Sequence, residues 1–179
     1  MRHIALISTG GTIEKTYDER AGVLENRHSV VQRMLARLRL EDVRINSMQL
    51  MQKDSTELTD QDRKRIVDVV RAFAGEPDVD GDGDTDGIVI LHGTDTLAVT
   101  GELLCQEFPK PQVPIILTGA MRPYEMKRSD ALQNLNEAIF ATNALAPGVY
   151  CVAHGRALRF PGVVKDLDRG TFVTAERSP

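Results

Sequence analysis

The sequence has few of the cysteines that stabilise small secreted proteins. Its 179 residues contain two, Cys105 and Cys151, which lie far apart and outside any CxxC pair. This excludes a disulfide framework and a cysteine-rich zinc site, and it favours a reducing compartment. The apolar run Ile4–Ile7 near the N-terminus is too short for a signal peptide. We therefore expect a cytoplasmic protein.

Long apolar runs and an excess of positive charge are also missing. No run approaches the roughly 18–20 residues of a membrane-spanning helix. The formal net charge of −4 gives no reason to expect a nucleic acid or an acidic membrane surface as partner. The groups of basic residues around Arg33 and Lys64 are typical of solvated helix faces. With 41% hydrophobic and 27% charged residues, the composition is that of one globular domain over residues 1–179.

Short apolar runs alternate with helical patterns along the chain. Strands are predicted at Ile4–Ser8, Arg44–Leu50, Gly87–Leu91, Pro114–Leu117 and Gly148–Ala153. Helices are predicted at Ser29–Leu40, Thr59–Phe73, Asp95–Glu107 and Ser129–Thr142, and the second begins with the capping-box spacing of Thr59 and Asp62. The alternation predicts an α/β fold: a doubly wound, mainly parallel sheet with helices on both faces, as in flavodoxin-like and Rossmann-like three-layer domains.

Two connecting segments differ from this pattern. Ile13–Leu24 has weak periodicity, several charges and a glycine, which predicts a mobile loop. The Asp- and Gly-rich segment 77–87 has the spacing of the first nine positions of a calcium-binding loop. The twelfth position, which should be a glutamate, is Val89, and Val89 already belongs to a predicted strand. A solvated acidic turn is therefore favoured, with a calcium site as the alternative.

Threonine and glycine residues follow three of the predicted strands. The three segments are Thr9-Gly10-Gly11-Thr12, His92-Gly93-Thr94-Asp95-Thr96 and Thr118-Gly119-Ala120-Met121-Arg122-Pro123. Ligands of open α/β sheets bind at the carboxyl ends of the strands, and the helix N-termini that follow favour a carboxylate or an oxyanion. One such turn is ordinary, but three at one edge predict a ligand site lined by threonine hydroxyls.

Other common sites are not supported by the sequence. There is no GxxxxGK[ST] motif, and Gly10-Gly11 does not extend to GxGxxG, so a nucleotide cradle is not predicted. A GxSxG nucleophile elbow is missing as well. A threonine nucleophile needs a group that takes its proton, and Lys165 and Tyr17 are the candidates. None of the four histidines is well placed for this task. His3 precedes the first strand, His28 precedes a helix, and His92 and His154 end apolar runs where they could be buried and neutral.

The three strand-end segments resemble the bacterial-type L-asparaginases of the asparaginase/glutaminase family. Further similar segments are Asp54-Ser55-Thr56, Ser129-Asp130 with Asn134-Leu135, and Val163-Val164-Lys165. The resemblance covers the N-terminal domain of that family almost from end to end. It implies hydrolysis of L-asparagine through an acyl-enzyme, with release of ammonia and then aspartate, and it implies neither a metal nor an organic cofactor.

Position by position, the resemblance implies roles for individual residues. Thr12 would be the nucleophile, with Tyr17 on its loop as activating partner. Thr94, Lys165 and Asp95 would form a second triad, and Asp95 would also hold the α-ammonium group of the substrate. Which of the two threonines attacks first stays open. The substrate would further contact Ser55 and Thr56 at its α-carboxylate, the backbone at Gly11 and Gly93, and the backbone of Ala120 at the leaving amide.

The resemblance also shows a difference. Members of the family have a C-terminal domain that supplies a glutamate to the site of a neighbouring subunit, and no segment of this chain corresponds to it. A partner copy could supply a substitute, the site could work at lower affinity, or the chain could be inactive. We expect a homodimer or higher homo-oligomer acting on L-asparagine. The alternatives are glutamine or another small amide as substrate, because Thr56 stands where several relatives carry glutamine, and a non-catalytic amino-acid-binding or regulatory module.

Overall fold

The structure, a computed structural model, describes residues 1–74 and 85–175. Its strands are β1 (Arg2–Gly10), β2 (Thr16–Asp18), β3 (Val23–Glu25), β4 (Val43–Lys53), β5 (Gly87–Leu91), β6 (Pro114–Thr118), β7 (Gly148–Ala153), β8 (Arg156–Arg159), β9 (Val163–Asp166) and β10 (Thr171–Thr174). Its α-helices are α1 (Val31–Leu35), α2 (Asp60–Phe73), α3 (Leu97–Glu107) and α4 (Ala131–Ala144). Short 3₁₀ turns cover Thr12–Glu14 and Ser55–Glu57.

Six of the strands form one sheet in the order β4-β1-β5-β6-β7-β8. The first five are parallel, and β8 pairs antiparallel with β7 at the edge. The turn between β7 and β8 is made by His154 and Gly155, both with positive φ (54° and 74°), as a tight hairpin of right-handed strands requires. Taken along the chain, the parallel strands have the order 2-1-3-4-5 of flavodoxin-like sheets. The predicted fold class is confirmed.

Apolar side chains of the central strands alternate between the two faces of the sheet. In β1, Ile4 and Leu6 join the core that also contains residues of α1 and α4. Ala5 and Ile7 join the core that contains residues of α2 and α3. Because each face is covered by two helices, the central strands are buried on both sides, which is why they appear as continuous apolar runs.

The first helix is much shorter than predicted. The periodic pattern extends over Ser29–Leu40, but α1 ends at Leu35. Beyond it, the backbone N–H groups of Arg37 and Leu38 bond to carbonyls three residues back. Such bonds are typical of a helix that tightens into a 3₁₀ turn and stops.

Several short strands have no counterpart in the sequence-based prediction. The segment Ile13–Leu24, predicted as a mobile loop, contains β2 and most of β3, which pair as an antiparallel hairpin. The β9–β10 hairpin and the edge strand β8 follow the last predicted strand. With three or four residues each, these strands are too short to show a period of two.

Two further expectations concern the acidic segment and membrane-spanning helices. The acidic segment 77–87 lies, except for residues 85–87, outside the described residues, so the choice between a solvated turn and a calcium site stays a prediction. Within residues 1–74 and 85–175, no helix has both the length and the apolarity that crossing a membrane requires.

The capping box predicted for α2 is present and can be tested. Thr59 Oγ1 accepts the Asp62 N–H (3.2 Å), and the Asp62 carboxylate accepts the Thr59 N–H (3.0 Å). We expect Thr59→Ala to lower the free energy of unfolding by about 1–2 kcal/mol, because a helix-end N–H loses its partner. Urea denaturation measures this. Lys64→Ala changes an exposed residue of the same helix and should stay within about 0.5 kcal/mol; equal effects of the two would contradict the prediction.

Candidate active site

The turns after β1 and β5 meet at the point where the sheet reverses its order. The chain leaves β1 towards β4 on one side and leaves β5 towards β6 on the other, which opens a crevice at the carboxyl ends of the strands. Gly11 and Gly93 pack against each other there. A Cβ atom on Gly11 would lie 2.4 Å from the Cα and N atoms of Gly93. Position 11 must be glycine for this contact, which places Thr12 and Thr94 on adjoining turns.

The three residues of the predicted second triad are in contact. Lys165 Nζ donates to Thr94 Oγ1 at 2.8 Å and to Asp95 Oδ1 at 2.5 Å. Thr94 is buried, whereas the Asp95 side chain is 51% exposed and keeps a free side. Lys165 lies on β9, which packs against α3, the helix that follows Thr94 and Asp95. A lysine that looked like an ordinary surface residue in the sequence is therefore fixed beside a buried hydroxyl.

Thr12 and Tyr17, predicted as nucleophile and activating partner, are not joined. Thr12 is the first residue of a 3₁₀ turn and is partly exposed, and its hydroxyl makes no hydrogen bond to another described residue. Tyr17 lies on β2 with 60% of its surface exposed. Its backbone N–H donates to the Glu125 carboxylate, and no hydrogen bond connects its hydroxyl with Thr12. In this conformation the Thr12 hydroxyl is available and has no hydrogen-bond partner among residues 1–74 and 85–175.

The two residues predicted to bind a substrate carboxylate begin the 3₁₀ turn after β4. Ser55 is buried, and its Oγ accepts the N–H of Thr96, the residue before α3, at 3.3 Å. Thr56 is exposed, and its hydroxyl and N–H both donate to Asp54 at 2.9 and 3.1 Å. A Cβ atom on Gly93 would lie 2.5 Å from Ser55 Cβ. The β4 turn is therefore packed onto the same glycine that contacts Gly11.

An ion pair joins the β4 turn to the segment that follows Thr12. Lys15 Nζ lies 2.5 Å from Asp54 Oδ2. The hydrogen bond from Lys15, with smaller help from Thr56, lowers the pKa of Asp54 from 3.8 to about 2 although partial burial opposes this shift. Lys15 carries no signal of this role in the sequence, because a lysine in a charged loop is typical of a solvated position.

The loop after β6, which carries Ala120, is held by a polar network. Gly119 permits close packing, since a Cβ there would lie 2.3 Å from the His92 carbonyl oxygen. Asp130 accepts the N–H of Met121 and that of the next residue. Asn134 donates to the Gly119 carbonyl at 2.9 Å. Ala120 is buried in this loop, and the preceding Gly119 lies next to the Thr94 side chain.

Asp130 remains ionised in this network. Burial alone would raise the pKa of its carboxyl group, but the N–H of Met121, the imidazole of His154 and the N–H of Arg122 together lower it. His154 Nε2 lies 2.7 Å from Asp130, and Nδ1 lies 2.9 Å from Thr171 on β10. Sequence reasoning missed this supporting role of Asp130, Asn134 and His154, although two of them lie in segments that carry the family resemblance.

His92 is buried and neutral, as its position at the end of an apolar run suggested. Burial is the main cause that lowers its pKa to about 4. Its Nδ1 lies 2.8 Å from the Gly93 carbonyl, which can only accept, so Nε2 accepts from Thr100 Oγ1, also at 2.8 Å. Both ring nitrogens are thus occupied by structural contacts, and the imidazole fixes the glycine rather than taking a proton from substrate.

Comparisons with known proteins agree with this fold. The family model of the asparaginase N-terminal domain matches residues 3–172. The L-asparaginase of Thermococcus kodakarensis is 33% identical over 149 residues, or 82% of this chain. A solved structure of the thermostable L-asparaginase from Thermococcus kodakarensis superimposes with a TM-score of 0.80 and 28% identity over 98% of this chain. L-asparaginase I of Vibrio cholerae superimposes with a TM-score of 0.79 and 27% identity over 99% of this chain.

A second kind of relative is similar to the same extent. A glutamyl-tRNA(Gln) amidotransferase subunit of Methanobrevibacter smithii is 32% identical over 154 residues, or 86% of this chain. The matched part is 34% of that protein, 42% of the Thermococcus sequence and 52% of each superimposed structure. The chain thus spans about half the length, or less, of the relatives it matches.

The ion pair between Lys15 and Asp54 predicts a pH-dependent contribution to stability. Because the pKa of Asp54 is lowered, the contribution is complete above the ordinary value of 3.8 and is lost as the pH falls towards about 2. Asp54→Asn should therefore be less stable than the parent near neutral pH, with a difference that shrinks on acidification. Urea denaturation across this range measures it. Asp168→Asn, at an exposed position, controls for the loss of one negative charge; a difference for Asp54→Asn that is independent of pH would contradict the assignment.

Proposed function

Because the chain belongs to the asparaginase family, whose N-terminal domain it matches, we propose that it hydrolyses the side-chain amide of L-asparagine to L-aspartate and ammonia. The observation that carries the proposal is the contact of Lys165 with both Thr94 and Asp95. This contact joins a buried hydroxyl, an amine and a half-exposed carboxylate at one strand end. Catalysis requires such a combination, whereas binding of an amino acid alone does not.

The proposed reaction begins at Thr12. Its Oγ attacks the amide carbon, the C–N bond breaks, and the amide nitrogen leaves as ammonia, so that an aspartyl ester remains on Thr12. Tyr17 takes the Thr12 proton and returns it to the leaving nitrogen. This requires the β2–β3 hairpin to move, since the two hydroxyls are not in contact. Water then attacks the ester, releases aspartate and restores the hydroxyl.

Thr94, Lys165 and Asp95 support the second step in this proposal. Lys165 holds the Thr94 oxygen, and that hydroxyl orients the attacking water. As Thr94 Oγ1 takes a proton from the water, its own proton passes to the Lys165 amine, and a proton is returned to the Thr12 oxygen when the ester bond breaks. Asp95 holds Lys165 with one carboxylate oxygen. Its exposed side is available to the α-ammonium group of the substrate, and Ser55 with Thr56 would receive the α-carboxylate. The backbones at Gly11, Gly93 and Ala120 complete the pocket.

A second candidate is supported by the similarity to amidotransferase subunits. The chain would then release ammonia for a partner protein, and glutamine is the alternative amide. A non-catalytic amino-acid-binding module is the third possibility. We further propose a cytoplasmic homo-oligomer: both cysteines are free thiols, as in a reducing compartment, and closed homo-oligomers are the usual state of soluble assemblies.

Replacement of Thr12 tests the nucleophile. Thr12→Ala should lower ammonia release from L-asparagine by about 10³-fold or more, because no oxygen is left to form the ester. Thr12→Ser, which keeps the hydroxyl, is the matched control and should retain most of the rate. Release is measured with L-asparagine, L-glutamine and D-asparagine as substrates.

Two results would contradict this assignment. An unchanged rate in Thr12→Ala would exclude Thr12 as the nucleophile. No release by the parent protein, with L-aspartate still raising its melting temperature, would support the binding module or a protein that needs its partner.

Replacement of Lys165 tests the triad. Lys165→Met should lower the rate by about 10²- to 10⁴-fold, the usual contribution of a proton-transfer group. Lys165→Arg keeps the positive charge but cannot give up its proton, so it separates electrostatic support from proton transfer. If Lys165→Met lost only thermal stability and kept its full rate, the lysine would be structural.

A further inference from the structure

Glu14, two residues after Thr12, is completely buried. Glutamate is almost never fully buried unless it is paired, because an isolated carboxylate loses its hydration. No lysine, arginine or histidine in residues 1–74 or 85–175 forms a salt bridge with it. The steps of the proposed reaction do not use this carboxylate. Its burial therefore needs another explanation.

Neutral hydrogen-bond donors surround the Glu14 carboxylate. Ser8 Oγ donates to one oxygen from β1. The other oxygen accepts from Ser29 Oγ (2.5 Å), from the N–H of Val30 (3.3 Å) and from Gln52 Nε2 on β4 (3.4 Å). All of these partners donate, which matches a group that only accepts. The carboxylate thus links two strands of the sheet with the segment that enters α1.

The positions of these partners along the chain show what the carboxylate holds together. Glu14 comes just before the β2–β3 hairpin, and Ser29 and Val30 come just after it. The two ends of the segment 15–28 therefore lie next to each other, and the Glu14 carboxylate joins them. We call this junction the neck of the loop. Asn26 adds a second tie, since its Nδ2 donates to the Gly11 carbonyl at 2.8 Å. A surface loop with close, fixed ends can move as a unit without losing its orientation.

We propose that Glu14 is a positioning residue that closes the neck of the loop 15–28 and so fixes the direction from which Tyr17 approaches Thr12. The roles of Tyr17 and Thr12 rest on the proposed function, whereas the closed neck does not. Glutamine at position 14 has nearly the shape of glutamate but one acceptor oxygen fewer. Its amide nitrogen would face either the Ser8 hydroxyl, which must then turn round to accept, or the Val30 N–H, which can only donate. The neck should then open more often although the packing volume is unchanged.

Hydrogen exchange tests the neck without any requirement for activity. In Glu14→Gln, amides of residues 16–28 should exchange about 10- to 100-fold faster, as expected when a buried acceptor oxygen is lost. Asp62→Asn is the matched control, because Asp62 is also a buried carboxylate but caps α2. It should lower overall stability and leave exchange in the loop unchanged relative to the rest of the chain.

A fluorescence probe gives a second measurement of the same loop. The chain has no tryptophan, so Leu24→Trp, at a 38% exposed position on β3, introduces a single reporter. Glu14→Gln in this background should lower its anisotropy, and Asp62→Asn should not. Where L-asparagine is hydrolysed, Glu14→Gln should also lower kcat about tenfold or more with little change in KM, because the loop acts on the chemical step.

Defined results would overturn the proposal. Loop exchange and reporter anisotropy that stay unchanged in Glu14→Gln, or that change as in Asp62→Asn, would show that the carboxylate does not hold the loop. If Glu14→Gln does not fold, Ser29→Ala removes one donor on the exit side of the neck and should give the same local effect. An inactive parent protein would contradict the proposed function alone, since exchange and anisotropy would still decide the role of Glu14.

Discussion

The contact between the backbones of Gly11 and Gly93 is the constraint on which the site depends. A side chain at position 11 would separate the turns after β1 and β5, because its Cβ would lie 2.4 Å from Gly93. Ser55 packs on the other side of Gly93, and Gly119 packs on the His92 carbonyl in the same way. The ends of four strands are thus brought into contact by close packing at glycines, and this packing takes no direct part in the proposed reaction. Thr12 and Thr94 lie on adjoining turns as a consequence of this packing.

Carboxylates that take no direct part in the proposed reaction hold this arrangement together. Asp54 ties the β4 turn to Lys15, Asp130 ties the β6 loop to His154, and Glu14 closes the neck of the hairpin. Each accepts several hydrogen bonds, and a buried carboxylate that lost its donors would cost more than the bonds themselves contribute. Irregular loops at a strand edge lack a regular backbone ladder, and these acceptors replace it.

Much of the scaffold could be predicted from the sequence, and the reasons are physical. The buried strands β5 and β6 are continuous apolar runs, and the capping box at Thr59 is a local signal. The β2–β3 and β9–β10 hairpins are short and half-exposed, so their pairing depends on the surrounding structure and leaves no periodicity. The early end of α1 also depends on the surrounding structure, because the helical pattern of the sequence continues beyond Leu35, where the helix ends.

The site was only partly predictable for a different reason. Residue types at strand ends indicate where a ligand binds, and the family resemblance singled out Lys165 among the lysines. Neither shows which contacts are already made. Lys165 and Thr94 are in place, whereas Thr12 and Tyr17 are apart. Supporting residues such as Glu14 escape detection because a glutamate in a charged segment is expected at the surface.

The site therefore has a fixed part and an open part. Thr94, Lys165 and Ser55 are held by buried or half-buried contacts, whereas Tyr17 is exposed. A ligand can favour a closed hairpin only by binding that conformation more tightly than the open one. A small amino acid offers few contacts for this, so a hairpin whose neck is already fixed is an advantage: less conformational freedom remains to be lost on closure. The proposed activity then depends mainly on the movement of Tyr17 with its hairpin, because the other catalytic groups are already in place. Substrates that cannot reach the hairpin should bind without being hydrolysed.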